Sequence, residues 1–360
     1  MLNVINGRIV TETKIIKGNI YLKDGVINKI TSNEIFEGKI IDANNNLVTP
    51  GFIDIHCHGG KDTLFAYNPK IALKAHKKRG TLGILPTIGY NMDKQVFIDG
   101  VNKIAKMKDP AILGVNCEGP FINPKYGADT RNTRKVAKEI FEAIYKAGCG
   151  KIRIWTFSPD IENTDIFKNF LKSKKEIIPS AGHTECKKEQ LEGIKLICHL
   201  FDAMGPKKRE NEAIHETGTA EAVLADETLY AELIADSEGK HVSALLLKVA
   251  YRAMGEDKII LISDAIGTKK DYSDGDLNYN ELGQLAGSVM SVNLAVCNMV
   301  KHTKIKWHQA IKMATLNPAK LLGLEDTIGS LKVGKKANIV IMNEAGKVFN
   351  VIENGRIYNG

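Results

Sequence analysis

Seven side chains able to do metal or acid–base chemistry recur in one kind of place along this sequence, at the end of a short apolar run. They are His56 and His58 in GFIDIHCHG, Glu118 in GVNCEGPF, His183 in SAGHT, His199 in CHLFDAM, Asp236 in AELIADS and Asp264 in LISDA. His56 and His58 form a His-x-His pair, and on a strand both side chains project to the same face and can reach one ion. Alone, such a pair is a weak signal, and His183 or His199 alone reads more naturally as a core histidine with its ring satisfied. Glu118 resists that reading, because a carboxylate at a strand end is costly to bury unless it coordinates or pairs. Together the residues offer mixed nitrogen and oxygen donors, a set that suits Zn²⁺, Fe²⁺ or a similar divalent ion. Asp264 differs in kind. Beside a bound ion it is placed to take a proton from water and hand it to a leaving group, and its competing use is to cap the segment that follows.

These residues are far apart in sequence, so the fold must gather them. From Pro50 to about residue 325, apolar runs of five to eight residues alternate with longer amphipathic stretches. The runs are GFIDIHCHG, GILPTIGY, AILGVNCEGPF, IRIWTFSP, EIIPSAGHT, IKLICHLFDAM, YAELIADS and KIILISDAIG. Eight such strands alternating with helices specify an α/β protein, a closed (β/α)8 TIM barrel whose C-terminal strand ends share one mouth. A doubly wound open sheet is the alternative, but no GxGxxG or P-loop opens a helix here. Helices are predicted in NPKIALKAHKKRG, TRKVAKEIFEAIYKAG and HVSALLLKVAYRAMG, the last two closed by glycine.

The ends of the chain differ from the middle. Residues 1–48 read as short strands broken by Asn-Gly and Asp-Gly pairs that suit tight hairpins. Near the other end, NVIENGRIY is a near copy of NVINGRIV at the start. We therefore expect 1–48 and 331–360 to build one small β-sandwich domain, with the barrel occupying 49–330 between them.

At 360 residues with 43% hydrophobic content, the chain can fill a core without staples, and its six cysteines contain no CxxC pair, which fits a reducing compartment. The net charge of +8 comes from lysines scattered through segments such as KAHKKRG and KSKKE, with no basic block interleaved with aromatics, so no nucleic-acid partner is expected. No leader pattern and no long apolar run stands in the sequence, so no membrane association is expected and the reading is a cytoplasmic protein.

Taken as an ordered set, PGFIDIHCHG, EGPFINP, SAGHT, CHLFDAM, AELIAD with His241 just after, LISDA, LAGS, ATLNPAKLLGL and IGSLKVGKKANIVI resemble the N-acetylglucosamine-6-phosphate deacetylases of the amidohydrolase superfamily over nearly the whole chain. The resemblance implies a metal-dependent hydrolase that cleaves the acetamide of a small N-acetylated amino sugar phosphate. It implies that Glu118, His183 and His199 hold the main divalent ion, with His56 and His58 available for a second. Zinc is the first expectation, with iron, manganese, cobalt and nickel as alternatives. It gives Asp264 the roles of activating the attacking water and protonating the departing amine. His241, Asp202, Ala203, His215 and Asp129 fall at substrate-contacting positions, His241 on sugar hydroxyls. A homodimer is implied too, because in relatives the residue matching His215 reaches the phosphate from the partner subunit.

Several positions depart from that pattern. GVNCEGPF carries Asn116 and Cys117 ahead of the glutamate, and Asp129 stands where relatives place a histidine that hydrogen-bonds the scissile carbonyl. An ionised carboxylate cannot stabilise an oxyanion. Asp202 replaces an asparagine near the sugar phosphate, and His215 replaces an arginine, with Lys207, Lys208 and Arg209 close in sequence to compensate. Two enzymatic readings stay open: the deacetylase itself, or a paralogue with the same metal chemistry on another N-acyl or cyclic amide, phosphorylated or not. A non-enzymatic binding protein is a third, separable from both by metal content.

Overall fold

The eight apolar runs all form strands: β1 (Phe52–Cys57), β2 (Thr81–Ile88), β3 (Val115–Glu118), β4 (Ile152–Phe157), β5 (Ile178–Ala181), β6 (Leu196–Ile197), β7 (Tyr230–Ile234) and β8 (Ile259–Ile262). The computed structural model describes residues 1–33, 38–205, 213, 216–268 and 275–360. Each strand pairs in parallel with its neighbours in chain order. Every residue of β1, β2 and β8 is buried, as expected for strands covered on both faces. At the seam between β8 and β1, the Asp264 N–H donates to the His56 carbonyl at 3.0 Å and Ser263 Oγ donates to Asp54 Oδ2 at 2.6 Å. The seam thus ties the segment carrying Asp264 directly to the strand carrying the His-x-His pair, and the architecture is the expected TIM barrel.

Helices cover the barrel where amphipathic stretches predict them. Pro69–Lys77 starts with proline in its first turn and with Asn68 accepting from the Ile71 N–H. Ala244–Met254 is capped by Ser243 and stops at Gly255, whose φ is 69°. The third helix is shorter than predicted. It runs from Lys138 to Ala147, not from Thr133, because the Arg134 N–H donates to the Pro120 carbonyl and Val136 is buried, so residues 133–137 lie over the end of β3 instead.

Both ends of the chain enter one sheet. Its order is Arg356–Ile357, Val348–Glu353, Ile339–Met342, Leu47–Pro50, Leu2–Val10, Ile15–Lys23 and Val26–Thr31, with Lys39–Asp42 also paired to Leu2–Val10. Ile9, Ile20, Ile27, Ile339 and Ile352 fill a core of its own. The Asp24-Gly25 and Asn354-Gly355 pairs are hairpin turns with positive φ at both residues, as type I′ turns demand. Asn6-Gly7, in the near copy, is not a turn. It lies inside one continuous strand at a register shift, with Asn6 at φ 55°. A Cβ on Gly7 would come within 2.5 Å of Val48 Cγ2, so its glycine serves close packing on the next strand. Among the described residues no helix is long and apolar enough to cross a membrane.

Candidate active site

Glu118 is the hub of the barrel mouth. Its Oε1 lies 2.7 Å from His183 Nε2 and 3.1 Å from His199 Nε2, and its Oε2 lies 3.3 Å from His58 Nε2. His56 Nε2 is 3.2 Å from His58 Nε2, and Asp264 Oδ1 is 3.3 Å from His58 Nε2 and 3.5 Å from His56 Nε2. All six side chains are buried or nearly so. Residues contributed by β1, β3, the ends of β5 and β6, and the turn after β8 therefore meet at one point.

The backbone that presents them is strained. His183, His199 and Asp264 have φ of 50°, 28° and 46°, in the left-handed region that side chains other than glycine's seldom occupy. Such residues cost on the order of 1–3 kcal/mol each and persist only where their surroundings over-determine them. Here they do: Ser158 Oγ donates to the His183 carbonyl at 2.7 Å, and the Asp264 carbonyl accepts from the Ser288 N–H at 2.9 Å. The other ring nitrogen of each distal histidine is also committed, His183 Nδ1 to the Tyr126 carbonyl and His199 Nδ1 to the Asp202 carbonyl, both at 3.2 Å. Each Nδ1–H bond leaves Nε2 as the lone pair that faces Glu118.

The donor set fits a divalent cation. Ligand atoms of Glu118, His183, Cys198 and His199 all lie within 4.8 Å of one another, and His56, His58 and Glu118 form a second such group. His183 and His199 face each other Nε2 to Nε2 at 3.1 Å, as His56 and His58 do at 3.2 Å. With Nδ1 protonated, two facing lone pairs repel, and a cation shared between them removes that cost.

Burial, charge and hydrogen bonds together tune the acids and bases of this cluster. Burial alone would raise the Glu118 carboxyl, but His183, through charge and a hydrogen bond, with further bonds from His199 and His58, holds it well below the usual range. Burial likewise opposes a charge on His58, yet bonds from Asp264 and Glu118 lift its imidazole to about 9. Asp264 would be raised by burial but is lowered by the His58 bond and the charges of His56, His58 and His199, so it stays a carboxylate able to accept a proton.

The remaining candidates are arranged less tightly. His241 Nδ1 is 3.2 Å from Asp236 Oδ2, while its Nε2 is buried with no partner among the described residues, and charge from Asp202 and Asp264 reaches it. Asp236 itself accepts backbone N–H bonds from Glu238, Lys240 and His241, so it holds the turn that carries His241. Asp202 enters through its carbonyl on His199, and Ala203 follows at φ 50°. Asp129 is paired elsewhere: Arg131 donates to it through Nε at 2.8 Å and Nη2 at 2.7 Å, and this bond holds its carboxyl below the usual range. Asp129 hydrogen-bonds no member of the cluster. His215, Lys207, Lys208 and Arg209 lie outside the described residues.

Sequence reasoning overlooked Glu232 and Cys198. Glu232 Oε2 is 2.9 Å from His56 Nδ1, and Cys198 Sγ is 3.6 Å from the same nitrogen. A glutamate in the middle of the apolar strand YAELI was the available signal, since an unpaired charge there would be costly.

A model of the amidohydrolase family matches residues 47–358. The chain belongs to the amidohydrolase family. This amidohydrolase is 30% identical over 383 residues to N-acetylglucosamine-6-phosphate deacetylase of Bacillus subtilis, covering 97% of its own length and 95% of that protein. The human enzyme of the same name is 26% identical, over 96% of this chain and 92% of its own. N-acetylgalactosamine-6-phosphate deacetylase of Escherichia coli O157:H7 is 27% identical over 93% of each. Among solved structures, N-acetylglucosamine-6-phosphate deacetylase from Pasteurella multocida superposes with a TM-score of 0.85 at 23% identity and 99% coverage of both chains, and that from Thermotoga maritima with 0.82 at 24% and the same coverage. The fold of this amidohydrolase is thus shared along its entire length, and its donor cluster suits the metal dependence of its family.

Proposed function

We propose that this chain deacetylates N-acetylglucosamine 6-phosphate, releasing acetate and glucosamine 6-phosphate for amino-sugar catabolism. The observation that carries the reading is the buried meeting of Glu118, His183 and His199 with Asp264 alongside, in a chain of this family with deacetylase relatives along its full length. Glu118, His183 and His199 would hold the main ion, and His56 and His58 with Glu118 a second, with zinc favoured by the nitrogen-rich donor set. A divalent ion held there would supply Lewis acidity toward a water and an amide oxygen.

Every other step falls to side chains. Asp264, ionised and buried, accepts the proton of the attacking water and returns it to the amide nitrogen, without which the amine cannot leave. The Nε2 of His241, unpartnered among the described residues, is left to meet a sugar hydroxyl. The Asp202 carbonyl keeps the His199 ring oriented, and by resemblance to the family Ala203 and His215 would contact the sugar phosphate. Residues 49–330 form the catalytic unit and the two ends a supporting β domain. The protein works in the cytoplasm as a homodimer.

A second reading keeps the chemistry and changes the substrate. Asp129 is engaged by Arg131 and offers the scissile carbonyl no donor, which favours another N-acyl compound. Acetate release from the N-acetylglucosamine and N-acetylgalactosamine 6-phosphates and from unphosphorylated N-acetylglucosamine, with an Asp264→Asn control, separates the two. Turnover of N-acetylglucosamine 6-phosphate alone, lost in the control, supports the first. Metal-loaded protein inert toward it overturns that reading.

A further inference from the structure

Glu232 lies behind the cluster, bonded to both His56 and His199, and its geometry is specific. It stands on β7, 1% exposed, inside an otherwise apolar strand. A single oxygen, Oε2, receives two bonds: from His56 Nδ1 at 2.9 Å and from the His199 backbone N–H at 3.2 Å. Its main-chain carbonyl accepts a third, from the Leu200 N–H at 2.8 Å. One residue therefore grips the strand carrying the His-x-His pair and, through two bonds, the strained turn at His199.

We infer that Glu232 is a positioning residue that couples the two groups of metal donors. This rests on the reading of the cluster as a metal site, though not on which amide it cleaves. The first part is choice of tautomer. Where a ring donates through Nδ1, its Nε2 carries the lone pair, and an acceptor on Nδ1 raises the basicity of that lone pair. His56 Nε2 is the nitrogen that faces His58, Glu118 and Asp264. Besides Glu232, His56 Nδ1 has Cys198 Sγ at 3.6 Å, and sulfur accepts weakly.

The second part is coupling. His199 belongs to the other donor group, and its amide bond to Glu232 helps to hold a backbone angle that would otherwise relax. A shift of the Glu232 carboxylate toward either partner is felt by the other, because both bonds end on the same atom.

The test uses full-length protein and two substitutions. Glu232→Gln keeps the shape and one acceptor oxygen but removes the charge, and Glu232→Leu removes the acceptor. Zinc affinity is measured by competition with a chromophoric chelator, and the Nδ1–H proton of His56 in zinc-loaded protein is followed as a slowly exchanging downfield resonance, assigned by its loss in His56→Gln. Glu232→Gln is expected to bind zinc 10–100-fold more weakly, the usual cost of losing such an outer partner. In Glu232→Leu the His56 resonance is expected to disappear. A loss of zinc affinity below tenfold in Glu232→Gln overturns the inference, and that variant alone decides if Glu232→Leu does not fold. Both readouts hold whichever amide proves to be the substrate, so failure of the proposed deacetylation leaves them interpretable.

Discussion

The floor of the barrel mouth and its rim are built to different standards. On the floor, Glu118, His56, His183, His199 and Asp264 are buried and His58 nearly so, each lies within hydrogen-bonding or ion-pair distance of another, and some stand on strained backbone. On the rim, Asp129 pairs with an Arg131 side chain that is 87% exposed, and Lys125 pairs with Glu185 in the same loop region. Burial makes each floor residue costly to alter alone, since its partners would keep uncompensated charge. Exposed pairs carry little free energy, so the rim can exchange residue types cheaply. Of the departures from the family resemblance, Asp129 sits in an exposed pair where change is cheap, Asn116 and Cys117 are buried on β3 beside Glu118, and none replaces one of the six cluster side chains.

The largest test of that contrast is removal of the ion. Exhaustive chelation should abolish acetate release and lower the melting temperature, and both should return with stoichiometric zinc, followed by calorimetry and product assay. Next is Asp264→Asn, expected to cut kcat by about 10²–10⁴-fold, the usual worth of a positioned acid–base group, with little change in bound zinc. Gly287→Ala comes third. Gly287 has φ 63°, and a Cβ there would come within 2.8 Å of the Asp264 carbonyl oxygen, so the variant should lose about 1–3 kcal/mol in denaturant unfolding and kcat as Asp264 is displaced.

A fourth test uses pH. In metal-free protein His58 titrates at about 9, raised above the value near 6.5 of an unfolded histidine. Its contribution to stability is therefore full below about 6.5 and is lost as pH rises through about 9. Metal-free protein should lose melting temperature across that window, while zinc affinity rises because fewer protons compete for the donors. The smallest effect belongs to the rim: Asp129→Asn should change kcat less than about fivefold, in line with the worth of an exposed pair. A drop as large as that of Asp264→Asn would erase the distinction between floor and rim.

How much of this was legible beforehand follows the same division. The eight strands were readable because residues buried on both faces must be apolar, and the chemical residues because they interrupt those runs at their ends. The helix start at Lys138 was not, since residues 133–137 have helical composition and only the tertiary bond from Arg134 to Pro120 draws them away. Asn6-Gly7 misled for a related reason: its turn chemistry is real, but packing against Val48 decides its use. Glu232 escaped because its partners, His56 and His199, are distant in sequence and each already had a role. The engagement of Asp129 by Arg131, two residues away, was local enough to have been found.

The sheet at the chain ends also sets an order of assembly. Leu47–Pro50 joins the barrel through Gly51 and pairs on its other side with Ile339–Met342, a strand made only after all eight barrel strands. During synthesis the first strands must wait with an unpaired edge and a half-covered core while the whole barrel emerges. Pairings so distant in sequence form slowly, and an open edge invites association with other chains. Ile339–Met342 therefore completes a sheet begun long before it, and a chain stopped short of Ile339 would carry a finished set of catalytic residues beside an exposed, aggregation-prone edge.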